Sequence, residues 1–200
     1  TIATSKSFDG ATGLVKDGSL VLSMEEAERI CTSLKGKEAE VISIQESEKV
    51  EKPSWPFTTS TLQQDATRKL NKSAKEVMAL AQRLYENGFI TYMRTDSPTL
   101  SQECINAAAD YIRNTYGDSW LQVRQYKAKT LGAQEAHEAI RPAGDRFRTP
   151  QETGLRGDEL NLYTLIWKRT IASQMKNSVK AITSVKLQCG EHVLSSSGSV

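Results

Sequence analysis

The residues most able to do covalent chemistry in this chain lie close together at Tyr92 and Arg94, within the run Gly88-Phe89-Ile90-Thr91-Tyr92-Met93-Arg94-Thr95-Asp96-Ser97. If residues 90 to 94 are extended, the two-residue side-chain period sends Tyr92 and Arg94 to the same face. A phenol ionises near pH 10, and a neighbouring positive charge favours the phenolate that would attack phosphorus. A guanidinium stays charged and presents a planar fork to phosphate oxygens. A phenolate also leaves more readily than a sugar alkoxide, so a phosphotyrosine ester can be reversed. On these residues alone, a half-buried surface pair is the simpler reading. Two further segments change the weighting: Pro56-Phe57-Thr58-Thr59-Ser60-Thr61-Leu62-Gln63-Gln64 and Glu135-Ala136-His137-Glu138-Ala139-Ile140-Arg141-Pro142.

The elements that must position these residues are legible in part. Ser23 stands three residues before Glu26, a capping-box pattern that opens a helix closed by Gly36. The flanking Leu20-Val21-Leu22 and Glu38 to Ile44 read as strands, giving a β-α-β stretch over residues 1 to about 50. Glu46 to Pro56 is charged and ends in Pro53-Ser54-Trp55-Pro56, which reads as a linker. Ser60 with Gln63, and Ser73 with Glu76, predict two more helix starts. The apolar positions 77, 80, 81, 84 and 85 follow helical spacing and end at Gly88. Ser101 opens a helix with Ile105, Ala108, Ala109, Ile112 and Tyr116 on one face. A long helix is expected from Asp158 to Met175, and alternating Val185, Leu187 and Cys189 predict a strand that turns at Gly190-Glu191 and returns.

The resulting expectation is an α+β chain. A discontinuous β-rich hinge domain (residues 1–54 and 151–200) is interrupted by a mainly helical, winged-helix-like domain (residues 55–150).

Composition excludes more than it specifies. The chain has 200 residues, of which 38% are hydrophobic and 25% charged, so a folded core is expected rather than disorder. A net charge of +2 does not announce a nucleic-acid partner. No apolar run is long enough to span a membrane, and the first residues lack the build of a signal peptide. The missing initiator Met suggests a piece of a longer protein. Cys31, Cys104 and Cys189 are far apart and form no Cys-x-x-Cys, which fits free thiols in a reducing cytoplasm and no zinc site. No phosphate-binding glycine loop is present, which disfavours an enzyme acting on small phosphorylated substrates.

Taken jointly and in this order, the three segments resemble the type IA DNA topoisomerases, in particular the bacterial topoisomerase I branch. The resemblance runs along essentially the whole chain and is strongest from Pro56 to Pro142. It implies that Tyr92 attacks one DNA strand and becomes linked to a 5′ phosphate. It also implies that Arg94 steadies the phosphate, and that His137 contacts or places it. Arg141 is expected to touch DNA or to support the fold of its motif. Lys72 and Arg83 are candidate contacts along a DNA path.

The implied partners are single-stranded DNA and negatively supercoiled duplex, together with a metal-binding catalytic domain of the same chain. Magnesium is expected on that domain, since no Asp-x-Asp cluster lies here. These residues alone are therefore expected not to relax supercoiled DNA, and localisation is expected to be cytoplasmic, with the nucleoid. The alternative is a winged-helix DNA-binding module without chemistry. Topoisomerase III or part of a reverse gyrase also fits the motifs.

Overall fold

The computed structural model describes residues 14–15, 19–127 and 137–200. The chain divides into two compact units, residues 1–49 with 180–200, and residues 50–179.

The first unit is built on a sheet. Helix α1 (Met24–Leu34) starts at Ser23, whose hydroxyl accepts from the Glu26 amide while the Glu26 carboxylate accepts from the Ser23 amide. Strands β1 (Glu40–Glu51), β2 (Ser178–Cys189) and β3 (His192–Ser199) form one sheet in the order β1-β2-β3. β2 and β3 are an antiparallel hairpin in register from Cys189 opposite His192 to Ile182 opposite Ser199. Its two-residue turn uses Gly190 at φ +59°, a conformation that favours glycine. Among the described residues of this unit only Cys189 is buried.

The second unit carries the core. It contains α2 (Thr59–Leu70), α3 (Ala74–Glu86), α4 (Gln102–Tyr116) and α5 (Gly157–Ser173). Two single 3-10 turns lie at Asp118–Trp120 and Pro150–Thr153. On α3, Val77, Leu80, Ala81 and Leu84 are buried at the spacing of one helical face. On α4 the same face is made by Cys104, Ile105, Ala108, Ala109 and Ile112. α5 packs against α2, α3 and α4, and buries Leu162, Tyr163, Ile166, Trp167, Thr170 and Ile171 along one broad half of its circumference. Each such apolar side chain removed from water contributes about 1.5–3 kcal/mol before the entropy of ordering is subtracted.

The structure departs from the sequence expectation at several points. α2 is capped by Thr58 rather than Ser60, with Thr61 completing the reciprocal cap. β1 runs on through the charged residues to Glu51, and Leu20-Val21-Leu22 forms no strand. Residues 90–94, considered above as extended, form no strand; their one β-bridge is Ile90 to Pro142. α5, expected to fall in the returning β-rich segment after residue 150, belongs to the helical unit. A winged helix also needs a hairpin wing. Apart from the ends of β1 and β2, the β structure among the described residues of the second unit consists of isolated bridges at Phe57–Ile140, Ile90–Pro142 and Leu121–Met175.

Candidate active site

The segment bearing Tyr92 is laced to two distant parts of the chain by a pair of threonines used in the same way. The Thr59 hydroxyl donates to the Met93 carbonyl at 2.8 Å and accepts from the Thr95 amide at 2.9 Å. The Thr91 hydroxyl donates to the Ala139 carbonyl at 2.7 Å and accepts from the Arg141 amide at 3.0 Å. Backbone bonds add Thr59 to Thr95 (2.8 Å), Thr91 to Arg141 (2.9 Å), Ile140 to Phe57 (2.8 Å) and Ala143 to Phe89 (2.9 Å). Ile90 and Met93 are buried beneath. The segment is therefore fixed without being part of a strand. Its exposure still alternates: Met93, Thr95 and Ser97 are buried, whereas Tyr92, Arg94 and Asp96 face outward.

Tyr92 is 37% exposed. Its ring is flanked by Tyr85, edge-on with centroids 5.3 Å apart, and by His137, tilted with centroids 5.5 Å apart. Such contacts restrict the ring to few orientations. His137 and Arg94 are both exposed, and among the described residues Arg94 has no ion-pair partner. An unspent guanidinium beside a held, accessible phenol is an arrangement that can receive a phosphodiester.

Two other phenols of this unit, those of Tyr163 and Tyr126, are committed elsewhere. The Tyr163 hydroxyl donates to the Arg148 carbonyl at 2.6 Å, and burial pushes its pKa up to about 12. Tyr126 donates to the Ser173 carbonyl at 2.9 Å and is also raised by burial.

Behind His137 lies a closed ionic knot. Arg141 is buried, and its guanidinium donates to both Glu138 carboxylate oxygens (2.7 and 3.1 Å). It also donates to the Pro142 and Gly144 carbonyls (2.9 Å each) and to the Ser101 hydroxyl (3.4 Å). These bonds use all five donors of the side chain. Burial alone would push the Glu138 pKa up. The bonds and charge of Arg141, with Ser101, outweigh it and hold the carboxyl below the usual range. Cys104 beneath the knot is pushed up to about 12, mainly by burial.

The structure brings Tyr92, His137 and the exposed Arg94 to one region of the second unit, and separates the remaining candidates from it by function. Arg141, expected either to touch DNA or to support its motif, gives all its donors to groups inside the protein. Lys72 bonds Asp158 at 2.7 Å and Arg83 bonds Glu159 at 2.7 Å, tying both to the start of α5. Each therefore has an ionic partner within the protein. Glu135 and Ala136, which open the third motif, lie outside the described residues. Tyr85, counted above with the apolar positions of this helix, is half exposed and lies against Tyr92 near the end of α3. Among the described residues no three His, Cys, Asp or Glu side chains converge to hold a metal ion, so these residues do not fit a magnesium cage. No helix among them is long and apolar enough to cross a membrane.

A family model described as DNA topoisomerase matches residues 3–200. The chain is 51% identical over 201 residues to DNA topoisomerase 1 of Synechococcus elongatus, covering 98% of this chain and 23% of that protein. It is 48% identical over 188 residues to DNA topoisomerase 1 of Streptomyces coelicolor, covering 93% of this chain and 20% of that protein. Among solved structures, full-length topoisomerase I from Thermotoga maritima matches with a TM-score of 0.71 and 35% identity, over 92% of this chain and 31% of that one. The chain thus spans 20–23% of the length of these curated relatives.

Proposed function

The chain belongs to the DNA topoisomerase family, and from that membership we propose that Tyr92 is the nucleophile with which the parent enzyme opens one strand of DNA, by the type IA route. The Tyr92 phenol gives up its proton to solvent as its oxygen attacks a backbone phosphorus. The bond from phosphorus to the 3′ oxygen breaks, and that oxygen takes a proton back from solvent and leaves as a 3′ hydroxyl. The 5′ phosphate stays on Tyr92. Attack by the same 3′ hydroxyl reverses both bonds and frees the phenol. The ester holds the bond energy, so resealing needs no nucleotide.

The observation that carries this reading is the accessibility of Tyr92 on a segment fixed from both sides, with unspent Arg94 two residues away. Arg94 neutralises the phosphate and the charge that grows on its oxygens in the transition state. His137, against the ring, orients the phosphate. Arg141 and Glu138 act at one remove, by holding the backbone that carries His137. Magnesium, in this reading, is held by the rest of the parent protein. The substrates are single-stranded DNA and negatively supercoiled duplex, relaxed by passing one strand through the break.

In the parent enzyme, Tyr92→Phe is expected to retain DNA binding and to lose the denaturant-resistant protein–DNA adduct. Relaxation by the 200 residues alone, with magnesium, is expected to be absent. Adduct formation by Tyr92→Phe at the parent's rate would refute the assignment.

A further inference from the structure

A second cluster, built on α2 and α5, has no part in the proposed chemistry. Asp65 is 6% exposed and lies on the face of α2 that also buries Leu62 and Ala66. Its carboxylate receives Arg68 (2.8 Å), Lys69 (2.8 Å) and Arg169 (2.7 Å). Arg169 also lies over the Phe57 ring, 4.2 Å from its centroid, and donates to the Trp55 carbonyl at 3.2 Å. Three cations on one carboxylate leave two positive charges uncompensated. Lys168, exposed and without an ion-pair partner among the described residues, adds a third. The acidic residues at the other end of α5, Asp158 and Glu159, are spent on Lys72 and Arg83.

Lys69, Lys168 and Arg169, but not Arg68, line a cavity of about 540 Å³, whose other walls are Ser54, Asn161 and Thr164 and the apolar Leu70, Leu165 and Ala172. Lys69 and Arg169 each retain N–H groups beyond those given to Asp65. A cavity of this size takes a nucleotide-sized ligand, not the width of a duplex. Trp55, next to Ser54, is 46% exposed, with its indole leaning on Tyr126. Trp55 does not itself line the cavity, but its carbonyl accepts from the lining Arg169. Cations along a groove with an exposed aromatic ring nearby are the general form of a single-strand binding surface.

We propose that the groove between α2 and α5 is a second DNA site, which takes the phosphodiester backbone of a single strand on Lys69, Lys168 and Arg169. The choice of DNA as ligand rests on the family reading. The groove itself is independent of Tyr92.

The test uses the 200-residue chain, a fluorescent oligothymidylate carrying 4-thiothymidine, and the matching duplex. Photocrosslinks are expected on peptides spanning residues 54–70 and 161–172. Lys168→Glu is expected to weaken binding several-fold at low salt and to lower the salt slope by about 0.7 for the lost phosphate contact. Trp55→Ala is expected to weaken binding by about fivefold or more. Lys168 and Trp55 are both exposed, and Lys168→Gln, expected to show the same slope change, controls for folding. Tyr92→Phe is expected to leave the crosslinks unchanged, which separates failure of the groove from failure of the nucleophile assignment. Crosslinks confined to the Tyr92 region, equal affinity for the duplex, or binding unaltered by Lys168→Glu would each overturn the proposal.

Discussion

Tyr92 and Arg141 are joined through one short bridge of backbone, since Thr91 bonds both the carbonyl and the amide of Arg141, yet their side chains are opposites. Arg141 is buried and has spent all its donors. Tyr92 and Arg94 face outward, held by neighbours that leave the phenolic oxygen and guanidinium uncommitted. The difference shows how one pair of laced segments divides the work. Polar groups whose bonds are closed inside the protein fix the frame, and those left open are available to a substrate. Residue type alone does not separate them, because Arg94 and Arg141 are the same side chain.

The first way to break this contrast is to remove the open guanidinium. Arg94→Ala in the parent enzyme is expected to slow adduct formation by about 10²–10³-fold with unchanged thermal melting. A fall in melting temperature with no loss of rate would reverse the assignment of roles.

Removing the closed guanidinium is expected to do the converse. Arg141→Met leaves the Glu138 carboxylate part-buried without its partner and is expected to cost about 3 kcal/mol of stability, measured by urea unfolding of the 200-residue chain. An unchanged unfolding midpoint would show that the knot does not hold the segment.

Tyr85→Ala sharpens the contrast further, since it loosens the Tyr92 ring without touching the phosphate ligands. Aromatic pairs contribute about 0.5–1.5 kcal/mol, so adduct formation at saturating DNA is expected to slow by up to about tenfold, with affinity retained and with Tyr85→Phe close to the native enzyme. A change in affinity alone would make Tyr85 a DNA contact instead.

The smallest effect is on acid stability. Burial pushes Asp65 up, but its three cationic partners outweigh this and hold it below the usual range, as Arg141 does for Glu138. A depressed folded pKa adds stability that is complete above the unfolded value, near pH 4, and is lost as pH falls through the folded value. Melting temperature is therefore expected to be flat from neutral pH to about pH 5 and to fall below about pH 4. Asp65→Asn is expected to flatten that acid limb; an unchanged limb would show that Asp65 is not depressed.

How much of this could be read from residues alone depended on how local the cause was. α1, α3 and α4 were legible because Ser23, Ser73 and Ser101 cap them, and because one face of α3 and of α4 is apolar. β1 beyond Ile44 was not, because a strand exposed on both faces carries no hydrophobic alternation to mark it. The same contrast separates the two units: the helical unit has a core that imposes a pattern, whereas the sheet unit buries only Cys189 among its described residues.

At the site, Tyr92, Arg94 and His137 stood out through their motifs. The lacing did not, since Thr59 and Met93 are 34 residues apart, Thr91 and Ala139 are 48 apart, and a threonine that closes a long-range bond looks like any other. Asp65 was missed for a related reason: its partner Arg169 lies 104 residues away.

Trapping the parent enzyme on a labelled single strand with magnesium, digesting the adduct and sequencing the modified peptide identifies the nucleophile. A 5′ phosphate is expected on Tyr92, within the peptide Leu84 to Arg94. A phosphate on Tyr85, or on any other side chain, would contradict the assignment of Tyr92.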